Sequence, residues 1–219
     1  MTDKTDLIGE AGLQFFGRMS ASISHELKNA LAIIKENSGL LSDYIHMAGK
    51  GMAVEPERFE KIALRIDAQT RRADAIIKNL NQFAHSVDVP SKSLDLNEIL
   101  SLLAALHNRP AAMRQVALES RPAESAVVVT ANPFLLLNIL GLILYHALHA
   151  VPAGGTMPLA VGLAQSEAEI RFEGLRNFPD LPSANFPGTH ENALLTALNA
   201  KAIMEPEACR IVVRMPMQS

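Results

Sequence analysis

The sequence predicts an α+β chain: a long αα-hairpin forming a dimeric four-helix bundle, followed by an α/β sandwich. Three observations carry this. Apolar residues recur at heptad spacing through the first 89 residues, a polar Pro-Ser-Lys-Ser stretch interrupts the chain at Pro90–Ser93, and short alternating runs take over beyond it. The expected domains are therefore residues 1–89 and residues 90–219.

The N-terminal residues 1–9 read as a frayed lead, and a helix is expected from about Glu10 to Ala48, roughly 58 Å at 1.5 Å per residue. With Phe16 at heptad position d, the d series runs Phe16, Ile23, Ala30, Asn37, Tyr44, and the a series Ser20, Leu27, Ile34, Leu41, Ala48. A stripe at that spacing lies along one side of a helix and demands burial. Gly49-Lys50-Gly51 stops the helix. Glu55-Pro56-Glu57, with proline and acids in a first turn, starts the next. Its a series is Phe59, Ile66, Ala73, Leu80 and Val87, and Ile62 or Ala63, Ile76 or Ile77, and Phe83 or Ala84 lie near d. Two stripes of this length cannot dry one another alone, so a second copy is expected to complete the bundle as a homodimer.

After the linker, Leu94–Leu96 reads as a short strand, Asn97–His107 as a helix capped by Asn97, and Gln115–Ser120 and Ala126–Thr130 as strands. Asn132–Val151 reads as a helix. It approaches the length of a membrane span, but Asn138, His146 and His149 interrupt it and prolines bracket it, which favours a buried core helix and no membrane span. Met157–Leu163, Glu169–Glu173 and Cys209–Met215 read as strands, and Asn192–Met204 has helical spacing. The sum is a sheet with helices on one face.

Composition limits the function classes. Hydrophobic residues make up 48% and charged residues 20% of 219 residues, with net charge −3 and no dominating basic stripe, so nucleic acid is not an expected partner. A single cysteine, Cys209, rules out an intrachain disulfide framework, and a polar N-terminus lacks the features of a secretory signal; both suit a cytoplasmic protein. The histidines at 46, 85, 107, 149 and 190 show no metal-ligand spacing with cysteine or acids.

One stretch stands out against this background. In Ser24-His25-Glu26-Leu27-Lys28-Asn29, His25 falls at heptad position f, off the apolar stripe, with Glu26 beside it and Asn29 one turn later on the same face. An imidazole held on a rigid helix with a carboxylate beside it suits a nucleophile, a base or a ligand, although a helical histidine among charges is also an ordinary surface residue.

The string resembles the H-box of sensor histidine kinases and their phosphotransferase relatives, His-Glu-hydrophobic-basic-Asn or Thr, usually followed by Pro-Leu; Ala30-Leu31 stands here instead. The resemblance implies that His25 carries a phosphoryl group, that Glu26 orients the ring or takes its proton, and that Asn29 orients water for dephosphorylating a partner. Lys28 and Lys35 read as screening phosphate charge or as solvated lysines. The order of elements after the hairpin resembles a degenerate histidine-kinase ATPase domain. His146 occupies the slot of the Asn that holds magnesium in that family. Glu173-Gly174-Leu175-Arg176-Asn177 replaces the adenine-reading Asp-x-Gly-x-Gly, and Asn192-Ala193-Leu194-Leu195 replaces the second glycine box. Imidazole is a poor magnesium ligand.

The resemblance is nearest to bacterial histidine phosphotransferases of two-component phosphorelays. It implies a cytoplasmic phosphotransferase exchanging phosphoryl groups with response-regulator receiver domains, which supply the magnesium, and with no cofactor of its own. An ATP-dependent sensor histidine kinase core and a catalytically silent dimeric adaptor or kinase inhibitor are the other readings of the same residues.

Overall fold

The computed structural model describes residues 4–176 and 186–217. Helix α1 runs Lys4–Gly49 and α2 Pro56–Ala84, so the first helix begins within the stretch read as a frayed lead. Gly51, at φ +79°, turns the chain between them. A short 3₁₀ turn, His85–Val87, leads to β1 (Lys92–Asp95), α3 (Leu96–Met113), β2 (Ala117–Arg121), β3 (Val128–Ala131) and α4 (Pro133–Ala147). The chain then forms β4 (Thr156–Ala164), β5 (Glu167–Glu173), α5 (Thr189–Ala197), β6 (Lys201–Glu205) and β7 (Arg210–Pro216). The expected order, a long helical hairpin and then an α/β sandwich, is the one adopted.

Several boundaries differ for local reasons. Asp95, not Asn97, caps α3: its carboxylate accepts from the Asn97 amide at 2.9 Å, while the Asn97 side chain bonds the backbone of Ala123 and Ser125. The helical spacing read over Asn192–Met204 ends at Ala197, because Asn199 takes a left-handed conformation at φ +50° and the chain re-enters the sheet as β6.

The chain divides into two compact units, residues 19–82, and residues 1–18 with 83–219. In the smaller unit, Ile23, Ala30 and Asn37 are buried on α1 and Ile62, Ala73 and Ile76 on α2, and Tyr44 meets Phe59 edge-on at 6.0 Å. Of the alternatives left by the periodicity, Ile62 and Ile76 turn inward and Ala63 and Ile77 outward. The a residues Leu27, Ile34 and Leu41 are half-buried, and Leu31, Ile45, Leu64 and Ile77 are exposed.

In the larger unit a five-stranded sheet has the order β2-β4-β5-β7-β6, with β2 and β4 parallel and the other neighbours antiparallel; β1 and β3 form a separate antiparallel pair. One face is apolar and buried by the helices: Leu159, Val161, Ile170, Phe172, Ile211 and Val213 alternate along the strands with residues of the other face. That other face carries a ladder of ion pairs. Glu169 accepts from Arg171 at 2.6 Å and Arg214 at 3.2 Å, and Arg171 also meets Glu173 at 3.0 Å. Burial alone would raise the Glu169 pKa, but the two guanidinium groups outweigh it and hold the carboxyl below its ordinary range.

Helix α4, with its 3₁₀ extension Leu148–Ala150, is apolar and long enough to cross a membrane, but two thirds of it (67%) is buried within the protein. Its Asn132 cap accepts from the Leu135 amide at 2.9 Å, and Pro133 takes the first helical position. The N-terminal turns of α1 pack on α4 through four phenylalanines: Phe15 lies 5.7 Å from Phe83 and 5.9 Å from Phe134, and Phe16 stacks on Phe83 at 5.3 Å. Gly141 permits the closest approach, since a Cβ there would stand 3.0 Å from both Phe15 and the His107 Nε2.

His107 is buried in this packing, with its Nδ1 bonded to the Leu103 carbonyl at 2.9 Å. Burial outweighs that bond and pushes the imidazole pKa from about 6.5 down to about 4. The folded protein therefore binds its proton less readily than the unfolded chain. Stability from the neutral ring is complete above pH 6.5 and lost as pH falls toward 4, by about 3 kcal/mol. Urea unfolding from pH 7 to 4 should show this slope, and His107→Leu should flatten it.

Candidate functional site

His25 and Asn29 are exposed on α1 and Glu26 and Leu27 half-buried, whereas Ile23 and Ala30 on the same helix are buried. This is the division that the heptad assigns, with d inward and f outward. The His25 ring has no hydrogen bond or ion pair among the described residues. Asn29 stands one turn beyond it, about 6 Å along the axis, and Lys28 and Lys35 are exposed nearby on the helix. An accessible imidazole on a continuous helix has few conformations to lose and a lone pair open to an electrophile from solution.

The second candidate region lies in the larger unit. His146, near the end of α4, is largely buried against the Phe186 ring at 4.6 Å, with its Nε2 3.9 Å from a Glu191 carboxylate oxygen, the limit of an ion pair rather than a hydrogen bond. The other Glu191 oxygen accepts from the Gly188 amide at 3.0 Å and so caps α5. The His146 ring beside it, and then backbone amide bonding, hold the Glu191 carboxyl below its ordinary range despite burial. Burial pushes the neighbouring His190 imidazole down, with Glu191 opposing and Arg18 reinforcing the shift.

The two glycine-box positions have other uses. Glu173 pairs with Arg171 and Arg121 in the ladder on the far face of the sheet. Leu175 is fully buried, its amide bonded to the Cys209 carbonyl, and the Arg176 amide is bonded to the Ala150 carbonyl. Asn177 lies outside the described residues. On α5, Ala193, Leu194 and Leu195 are buried, and the Asn192 side-chain Nδ2 donates back to the Pro187 carbonyl at 2.8 Å. Among the described residues, no three His, Cys, Asp or Glu side chains come together as a metal site. The sequence reading singled out His146 but missed Phe186 and Glu191; the Gly188-to-Glu191 spacing of a helix cap was the available signal for the latter.

Comparison with known proteins bears on the helical region. Residues 17–86, which include His25, match the His Kinase A (phospho-acceptor) domain family. The sensor histidine kinase ZraS of Klebsiella oxytoca is 23% identical over 145 residues, 66% of this chain; the match spans 30% of that kinase's length. Among solved structures, the histidine kinase AdeS of Acinetobacter baumannii is similar over 84% of this chain and 97% of its own, at 9% identity and a TM-score of 0.47. A bacterial phosphotransferase is similar over 92% of this chain and 95% of its own, at 15% identity and a TM-score of 0.48. Residues 17–86 are thus similar to the His Kinase A (phospho-acceptor) domain family, and the chain has a distant likeness to a sensor histidine kinase of which it spans less than a third.

Proposed function

We propose that this protein is a cytoplasmic phosphorelay histidine phosphotransferase, a homodimer that carries a phosphoryl group on His25 between response-regulator aspartates. The observation that carries the reading is the pairing of an exposed His25 within a phospho-acceptor domain with a sandwich whose His146 is closed onto Phe186 and Glu191. The half-buried and exposed apolar residues of the hairpin, Leu27, Leu31, Ile34 and Ile77 among them, support the dimer.

In the transfer, a ring nitrogen of His25 attacks phosphorus through its lone pair, and the bond from phosphorus to the aspartyl oxygen breaks with its electrons left on the carboxylate. The ring sheds the proton of its other nitrogen, with Glu26 as the acceptor. A magnesium ion brought by the receiver would supply the charge neutralisation for the transferring group. Asn29 has the position to orient a water for the reverse, hydrolytic fate of the aspartyl phosphate.

Labelled ATP with magnesium should leave the protein unlabelled, whereas a phosphorylated receiver domain should label it at His25. The match to a sensor histidine kinase favours a second reading, an ATP-dependent kinase core. Incorporation from ATP with no other protein present would establish that reading and overturn the first. An adaptor that needs no phosphate would keep its effect in a His25→Ala chain.

A further inference from the structure

The chain holds an exposed imidazole braced by a carboxylate that the transfer chemistry of His25 does not use. His85 opens the 3₁₀ turn that follows α2, and its Nδ1 lies 2.7 Å from an Asp88 carboxylate oxygen. The His85 and Asp88 side chains are 77% and 57% exposed, so the far edge of the ring, with Nε2, is open to solvent. The turn that carries the pair is itself fixed. Ser86 is buried and its Oγ donates to the Phe83 carbonyl at 2.6 Å, and the Asp88 amide donates to the His85 carbonyl at 3.3 Å. Other histidines are held differently. His107 and His149 bond backbone carbonyls through Nδ1, and His46, exposed in the last turn of α1, has no ring bond among the described residues.

A carboxylate on Nδ1 does two things to a neutral imidazole. It keeps the ring proton on Nδ1, which leaves the lone pair on Nε2. It also stabilises the positive charge that the ring takes on when Nε2 bonds an electrophile, and the carbonyl end of α2 acts in the same sense. We propose that His85 is a second phosphoryl-accepting imidazole, loaded at Nε2 from a small phosphoramidate with no docked protein. In this step the Nε2 lone pair bonds phosphorus, the phosphorus–nitrogen bond of the donor breaks, and its electrons leave with the amine. The donor nitrogen already carries the extra proton, so the amine departs neutral and the dyad has no acid to supply. The Nδ1 proton then passes by way of Asp88 to water, leaving a neutral phosphoimidazole. His25 takes no part in this step, so the inference goes beyond the phosphorelay reading and does not depend on it.

The test uses the full chain carrying His25→Gln, incubated with potassium phosphoramidate at about pH 8, above the ordinary imidazole range. No other protein is present, and tandem mass spectrometry follows phosphate on each histidine with time. His85 should be phosphorylated about tenfold faster than His46, and Asp88→Asn should bring it down to the His46 rate. Because the pair lies on the surface, that substitution should leave the fold intact, which circular dichroism checks. Phosphorus–proton correlation spectroscopy should place the group on Nε2. Equal rates at His85 and His46, a His85 rate unchanged by Asp88→Asn, a phosphoryl group on Nδ1, or no phosphate on His85 would each overturn the proposal. None of these results would touch transfer from a receiver to His25 in the wild-type chain.

Discussion

Replacing His25 with alanine or glutamine is expected to reduce phosphoryl transfer from a phosphorylated receiver to the spontaneous background, with no change in fold. The side chain is exposed and makes no hydrogen bond among the described residues, so its removal leaves no cavity there. Alanine also favours the helix slightly. The loss is thus chemical: alanine has no nitrogen, and the glutamine amide's lone pair is delocalised into its carbonyl, so neither replacement can attack phosphorus. Circular dichroism and the melting temperature should match the wild type while label on the protein disappears. Asn29→Ala supplies the contrast, since it should still accept phosphate on His25 and instead slow the hydrolysis of the receiver's aspartyl phosphate.

The largest effect on stability is expected at Phe83. Its ring is fully buried and is the hub of the aromatic packing: Phe15 meets it edge-on at 5.7 Å, Phe16 stacks on it at 5.3 Å, and Phe134 of α4 lies at 6.2 Å. Phe83→Ala removes the hydrophobic transfer energy, the aromatic contacts and the filling of the space together, at a cost of about 3–5 kcal/mol. For a unit of this size that is roughly 6–20 °C in melting temperature. Phe83→Leu should retain most of the volume and lose much less. The same packing predicts that a fragment starting at residue 90 will be poorly stable, because it lacks Phe15, Phe16 and Phe83 and leaves Phe134 and the Gly141 face of α4 open to water. Urea unfolding of the three chains measures both effects.

Much of this architecture is legible in the residues. The d series Ile23, Ala30, Asn37 placed the inward face of α1 correctly because a helix has one period and a long stripe averages over local noise. The capping asparagine and following proline at Asn132-Pro133 marked the start of α4 for an equally local reason. Short elements were harder. Strand β6 was absorbed into a helical pattern because Leu194, Leu195, Leu198 and Ile203 share a spacing that a nine-residue helix and a five-residue strand mimic together, and Asn199 was the unread stop. The packing of the α1 N-terminus with the sandwich was not legible, since Gly12 and Gly141 act through the space that they leave for Phe134, Phe15 and His107. The closure of His146 onto Phe186 and Glu191 likewise joins residues some forty positions apart, and no periodicity encodes that contact.

The central claim is that His25 draws its phosphate from a protein and not from a nucleotide. Incubating the nucleotide-free protein with a stoichiometric, pre-phosphorylated receiver domain and locating the phosphoryl group by tandem mass spectrometry at neutral to alkaline pH tests it most directly. The account predicts one phosphoryl group per chain, on His25. Phosphate confined to the receiver, together with His25 labelled only when ATP and magnesium are added, would contradict it.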